Sequence, residues 1–253
     1  MDAAPSPNSP SLFQTFRAAT LVPLAMALCS FAAHAGSIVV PATTDIWLAG
    51  QPNGASVTGY FGTNTAPANS PIPIGVNGGD VLTFSNVVDS SGGVSVDGSN
   101  FDTTPDAGVF YPDEYAFSPG SFNGISLAHL PADALVGVFV AAGGPSGTAP
   151  AALDFTGLGG YSFVTLSPAL DQLFFIGDGL TGTGTGSVQG FIAPAGAATL
   201  YLAVADSLGS SVGNVGYINA NVNDSSSTPE PGTSLLLGAG FLALLTLRRK
   251  ACR

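Results

Sequence analysis

Short apolar runs separated by Gly, Pro, Asn and Asp fill residues 36–222. Each run is too short for a stable helix and is rich in the β-branched and aromatic residues that suit a pleated surface. The pattern predicts strands at Ser37–Val40, Asp45–Ala49, Asp80–Ser85, Leu135–Ala141, Leu173–Ile176, Ser187–Ala193, Thr199–Ala205 and Val215–Val222. Within one of them Val81 and Thr83 alternate with Leu82 and Phe84, which turns one edge to a core. Turn signals such as Asn77-Gly78-Gly79 and Ser207-Leu208-Gly209 fall between the runs. The expectation is an all-β fold, an antiparallel β-sandwich or jelly roll, occupying residues 36–222 as one domain large enough to close a core.

Two apolar runs break this rhythm. Ala18 to Phe31 follows Arg17 and precedes Ala33-His34-Ala35, the order of a secretory signal peptide. Residues 1–35 are therefore expected to be removed by signal peptidase, with Ala33 and Ala35 as the small residues before the cut and Gly36 as the new start. Pro23 and the shortness of the run argue against a spanning helix. Leu28 is too bulky to precede a lipid-modified Cys29. The second run, Gly232 to Leu247, would be about 24 Å long as a helix against a hydrocarbon core of about 30 Å. It can span with snorkelling ends, and Arg248, Arg249 and Lys250 then hold its carboxyl end in the cytoplasm. The domain before it lies on the exported side. Residues 223–228 read as a flexible polar linker.

Charge sharpens the picture. The chain carries 5 Lys and Arg residues and a formal net charge of −11. The basic residues are Arg17, Arg248, Arg249, Lys250 and Arg253, so nothing basic lies between Gly36 and Thr228. Such a domain has no Lys or Arg ion pairs, and it cannot replace the counterions of a nucleic acid. It would attract metal cations, although most of its Asp residues read as turn formers. Cys29 and Cys252 both fall in targeting segments, so the exported domain has no disulfide despite its oxidising destination.

Catalytic chemistry finds little support. Gly177-Asp178-Gly179-Leu180-Thr181-Gly182 matches GxGxxG but leads into Thr183-Gly184-Thr185-Gly186 and another strand, so the phosphate-binding helix end is missing. It reads as a Gly-Thr turn. His129 is the only His of the mature region, with no Cys or Lys beside which to build a hydrolase triad or a zinc site. Asp113 and Glu114 are adjacent carboxylates, but neighbours usually point apart, and no aromatic cluster suggests a sugar cleft. Trp47, the only Trp, reads as core. The chain is not expected to be an enzyme.

Two stretches resemble known families. Pro229-Glu230-Pro231, the short apolar run and the Arg248-Arg249-Lys250 cluster resemble the PEP-CTERM sorting signal of many Gram-negative bacteria, over about Thr228 to Arg253. The resemblance implies recognition by an exosortase, a membrane-embedded cysteine protease or transpeptidase, with the tail (residues 229–253) removed near the Pro-Glu-Pro. It further implies transient anchoring in the inner membrane, then a place at the cell surface or in the extracellular matrix of biofilm- or floc-forming cells. In the mature region, Leu200 to Ala205 ends in Asp206 and a loop of oxygen donors through Asn214. With Ala193-Pro194, Gly216 to Val222, Asn77 to Phe84 and Pro105 to Gly108, this resembles the calcium-dependent galactophilic bacterial lectin family, a small galactose-binding-like β-sandwich. In that family calcium is held by the loop's first Asp, a carbonyl four residues on and two successive Asn side chains. Those positions are Asp206, Ser210, Gly213 and Asn214, and Gly213 has no side-chain donor. The family's sugar-contacting His and Gln fall on Thr104 and Ala107. The resemblance thus implies calcium at Asp206, Ser210 and Asn214. Two functions follow as alternatives: a calcium-assisted module holding extracellular polysaccharide, or a structural matrix protein that has lost the sugar site.

Overall fold

The computed structural model of the chain describes residues 36–59, 61–109, 121–156 and 160–224. The expected signal peptide with Ala33 and Ala35, and the adjacent Asp113 and Glu114, lie outside the described residues. So do the linker after Asp224, the apolar segment 232–247 and the sorting residues Pro229, Glu230, Pro231, Arg248, Arg249 and Lys250.

The described chain is all β. Its strands are β1 (Gly36–Pro41), β2 (Ser56–Thr58), β3 (Thr63–Thr65), β4 (Ile72–Gly75), β5 (Val81–Asp89), β6 (Ala128–His129), β7 (Leu135–Ala141), β8 (Leu153–Asp154), β9 (Thr165–Leu166), β10 (Leu173–Phe175), β11 (Gly190–Ile192), β12 (Ala197–Val204) and β13 (Tyr217–Asp224). One sheet runs β1-β13-β5-β11-β9 and the other β10-β7-β12-β4, with β2-β3 and β6-β8 as small additional pairs. Pairing is antiparallel except for β11 with β9 and β6 with β8. The alternation in β5 holds: Leu82 and Phe84 are buried, while Val81 and Thr83 are half-buried.

Phenylalanines join the two large sheets. Phe174 of β10 stacks on Phe139 of β7 with ring centroids 5.2 Å apart, and on Phe191 of β11, across the core, at 5.5 Å. Phe191 in turn meets Phe84 of β5 edge to face at 5.4 Å. Gly137 of β7 lies opposite Phe174 in the ladder. A Cβ on Gly137 would come within 2.9 Å of both the Phe174 ring and Ile176, so the missing side chain is what admits the ring. From Leu135 to Val140 β7 is buried on both faces, which explains its continuous rather than alternating apolar run.

Three differences from the sequence reading have physical causes. Asp45–Ala49 is not a strand but holds a single tight helical turn, Ile46–Leu48, packed against β7 and β12. Asp45 caps it, accepting the Trp47 N–H at 3.0 Å, and an Asp at that position favours a helical start over a ladder. β4 was hidden by Pro71 and Pro73; it bonds only to β12, and an edge strand tolerates proline. The polar Asn223 and Asp224 are not linker but the end of β13, paired with Thr83 and Leu82, with Asn223 Nδ2 donating to Ser85 Oγ at 3.0 Å.

The register sets the two ends of the domain apart. Gly36 pairs with Val222, so the chain enters β1 and leaves β13 side by side. At the opposite end lie the connections that follow β1, β5, β10 and β12.

Candidate functional site

The loop from Ala205 to Gly216 crosses from one large sheet to the other at that opposite end. Asp206 Oδ1 accepts the Ser207 N–H at 2.6 Å, and Oδ2 accepts Asn214 Nδ2 at 3.0 Å. The same Asn214 amide donates to the Ala42 carbonyl at 3.1 Å. Two of the three expected calcium ligands are thus brought together, as a direct donor–acceptor pair. Ser210 bonds within the loop, its N–H going to the Ser207 carbonyl at 3.1 Å and its hydroxyl to the Leu208 carbonyl at 3.5 Å. An Asn ligates a cation through its amide oxygen, and here it is the NH2 group that faces Asp206. To offer the oxygen, the amide would have to turn over and give up both hydrogen bonds. Gly213 closes the short Ser211–Gly213 turn.

Beside the loop is a cavity of about 10 Å³, lined by Trp47, Leu130, Val136, Ala205, Asp206 and Ser211. That is room for about one water, far below what a sugar ring fills. Trp47 is core as expected, and its buried indole N–H has no hydrogen-bond partner.

The GxGxxG loop binds an anion after all, an internal one. Asp106 is buried, its Oδ1 accepting from Asp178 N at 2.9 Å and its Oδ2 from Gly184 N at 3.2 Å. A Cβ on Gly177, which sits at φ +57, would fall on the Asp106 carboxylate and the Phe175 ring. Backbone N–H groups that converge in this way form a nest for an acceptor. Burial pushes Asp106 up to about 6, with the two N–H bonds opposing and Asp178 adding to the rise. The Pro105-Asp106 step that resembles a lectin sugar site is therefore used inside the protein, between exposed Thr104 and left-handed Ala107.

Asp89, Asp97, Asp102, Asp106, Asp133 and Asp206 all collect at this one end of the domain. Asp97 is the turn former the sequence suggests, accepting from Ser99 N and Asn100 N at 2.7 Å each. Asp133 and Asp102 are different, each 1% exposed. Burial pushes Asp133 up to about 8, helped by the carboxylates of Asp102, Asp206, Asp97 and Asp89. Burial likewise pushes Asp89 up to about 7, with Asp102 and Asp106 adding. Sequence reasoning missed these residues by assigning nearly all Asp to turns. The signal was their setting: Val87-Val88-Asp89 and Pro131-Ala132-Asp133-Ala134-Leu135 place Asp inside apolar runs of a domain with no basic residue.

His129 and Asp154 face each other across the β6–β8 pair, Nδ1 to Oδ2 at 3.9 Å, both well exposed. Hydrogen bonds from the Thr156 backbone and hydroxyl hold Asp154 below the usual carboxylate range, and His129 adds to this.

Comparison with known proteins places one part of the chain. Residues 227–250 match the PEP-CTERM protein-sorting motif. The motif marks an exported protein handled by an exosortase. It covers the tail alone. No curated protein and no solved structure matches the chain. No helix among the described residues is long and apolar enough to cross a membrane; the segment expected to do so lies outside them.

Proposed function

We propose that this is an exosortase-processed structural protein of the cell surface or extracellular matrix, its two large sheets forming a β-sandwich of the jelly-roll kind. The carrying observation is the pairing of Gly36 with Val222. It puts the expected signal-peptidase cut and the exit toward the sorting tail side by side. The acidic loops are then presented at the far end, away from the membrane that holds the tail during sorting. Signal peptidase and exosortase are its partners in export, and a wholly acidic domain excludes nucleic acid. His129 and Asp154 have no catalytic role in this reading.

One observation favours a second reading, calcium-assisted binding of extracellular polysaccharide: Asp206 and Asn214 are within 3.0 Å of each other. The structural reading is preferred because the Asn214 amide is engaged by Asp206 and Ala42, and the neighbouring cavity holds no sugar. A glycan array probed with and without millimolar calcium separates the two. The structural reading predicts no calcium-dependent signal. Galactoside binding that needs calcium and disappears in Asp206→Ala would replace it with the lectin reading.

A further inference from the structure

We propose that β1 is a self-pairing edge: two copies of the domain join β1 to β1 about a two-fold axis at Ile38, making one continuous sheet. Neither reading of the function uses this edge, and the pairing stands whichever of them holds.

The first observation is which backbone groups β1 leaves open. β1 is an outermost strand of its sheet and bonds only to β13. Ala42 N donates to Gly216 O at 3.0 Å, continuing the same register. Hydrogen-bonded pairs alternate along an antiparallel ladder, so Val40, Ile38 and Gly36 turn their peptide groups to β13 as Ala42 does. Ser37, Val39 and Pro41 turn theirs to the open side. Pro41 has no N–H, and its carbonyl already accepts Thr44 N at 3.1 Å and Thr44 Oγ1 at 2.7 Å. Among the described residues no hydrogen bond reaches the backbone groups of Ser37 or Val39 from that side.

The second observation is that nothing guards this edge. Proteins blunt sheet edges with charge, proline or very short strands. The other outer strands of the two large sheets follow that rule. β4 carries Pro73 just after Pro71, β9 holds two residues, and β10 holds three, all buried. β1 is six residues long, and from Gly36 to Val40 it has no charged side chain and no proline. Its Val39 is half exposed.

The open groups select a second copy as the partner. In an antiparallel pairing centred on Ile38, Ser37 of each copy exchanges both main-chain hydrogen bonds with Val39 of the other. The two Ile38 side chains, each half-buried against its own core, meet as a non-hydrogen-bonded pair with Cα atoms about 4.5 Å apart. Sliding the register toward Pro41 loses bonds, because Pro41 has no N–H to give. Sliding it the other way needs residues before Gly36, the expected start of the mature chain. Charge agrees with this choice. A domain with many carboxylates and no Lys or Arg repels its own copies, yet β1 and β13 carry only Asp224 between them. Asp224 lies at the Gly36 end of β1, so the two Asp224 residues fall at opposite ends of the joined strands. Each copy has one such edge, and pairing closes at two. The contact is too short for a permanent dimer, so it forms and parts with concentration.

The test is sedimentation velocity of the exported protein recovered from producing cells, its intact mass measured beforehand. The expected result is a mass that rises with concentration from one chain and levels off at two. Val39→Pro removes an outward N–H, which an edge strand tolerates, and should leave a monomer at every concentration. Val88→Glu alters the exposed valine of β5 in the same row as Val39 and Asn219, and it should still pair. A cross-linking arm uses chains that carry Cys29→Ser and Cys252→Ser. Ser37→Cys and Val39→Cys should form a disulfide-linked dimer when mixed, their Cα atoms lying about 5.5 Å apart. Neither should link alone, because like residues then sit about 7–8 Å apart on the diagonal. This arm decides the matter should Val39→Pro fail to fold. A wild type that stays monomeric, a dimer that survives Val39→Pro, or growth past two chains overturns the proposal. So does a cysteine mixture that fails to link, or links no faster than either variant alone. A dimer abolished by Val88→Glu alone would place the contact on the sheet face and overturn it as well.

Discussion

Replacing Phe174 with Ala should lower the unfolding free energy by about 3–5 kcal/mol, the usual cost of emptying an aromatic site in a core. Phe174 is fully buried and stacks on Phe139 within its own sheet and on Phe191 across the core. Removing it therefore deletes contacts that hold the two large sheets together as well as leaving a cavity. The mature region has no cysteine to form a disulfide and no basic residue to form an ion pair with its carboxylates, so this core carries most of the stability. For a domain of this size the loss corresponds to a fall in Tm of about 10 °C or more. Thermal unfolding followed by circular dichroism reads it directly. A fall of under 2 °C would mean that the aromatic stack is not the junction between the sheets. The complementary change, Gly137→Ala, overfills the same place and should cost about 1–3 kcal/mol.

The second large effect is on pH dependence. In chelator, the protein should be more stable at pH 5 than at pH 8.5. Burial pushes Asp106 to about 6, Asp89 to about 7 and Asp133 to about 8, each from an ordinary value of 3.8. A group whose folded-state pKa is raised holds its proton more tightly in the folded than in the unfolded chain. Between pH 4 and 8 the folded state therefore binds more protons, and stability falls as pH rises. The contribution is complete below about pH 4 and is lost as pH climbs through 6, 7 and 8. The groups facing Asp133 are Asp102, Asp206, Asp97 and Asp89, so no neighbouring cation opposes the trend. The loss is on the order of several kcal/mol. A melt series in chelator that is flat, or that rises toward alkaline pH, would contradict the burial of these carboxylates as ionisable groups. Asp133→Asn should remove the largest single share of the slope, about half, and leave the part due to Asp89 and Asp106.

The sequence made parts of this domain legible and hid others for definable reasons. Strands β1, β5, β7, β10, β11, β12 and β13 were readable because their apolar residues are contiguous and bounded by turn residues. β4 was hidden by its prolines, and β6, β8 and β9 each hold two residues, too few for any period to show. Asp45–Ala49 carried the right residues for a strand, but the Asp45 carboxylate satisfies the Trp47 N–H and closes a helical turn instead. At the Asp206 loop, sequence resemblance placed Asp206 and Asn214 in one loop, and they do meet. What spacing could not show is which end of the Asn214 amide faces the carboxylate. The buried Asp residues were hardest to read. Asp is common in turns, and it is the apolar run from Pro131 to Leu135 that distinguishes a buried Asp133 from a turn-forming Asp97 set among Ser, Gly and Asn.

The central claim is that an acidic all-β domain is exported, cut at one end and sorted at the other. It is tested most directly by the intact mass of the protein recovered from cells with and without an active exosortase. The account predicts a product from exosortase-active cells that begins at Gly36 and ends near Pro229–Pro231, and a heavier one retaining the tail when the exosortase is absent. A product from exosortase-active cells that still carries Arg248 to Arg253 would contradict it.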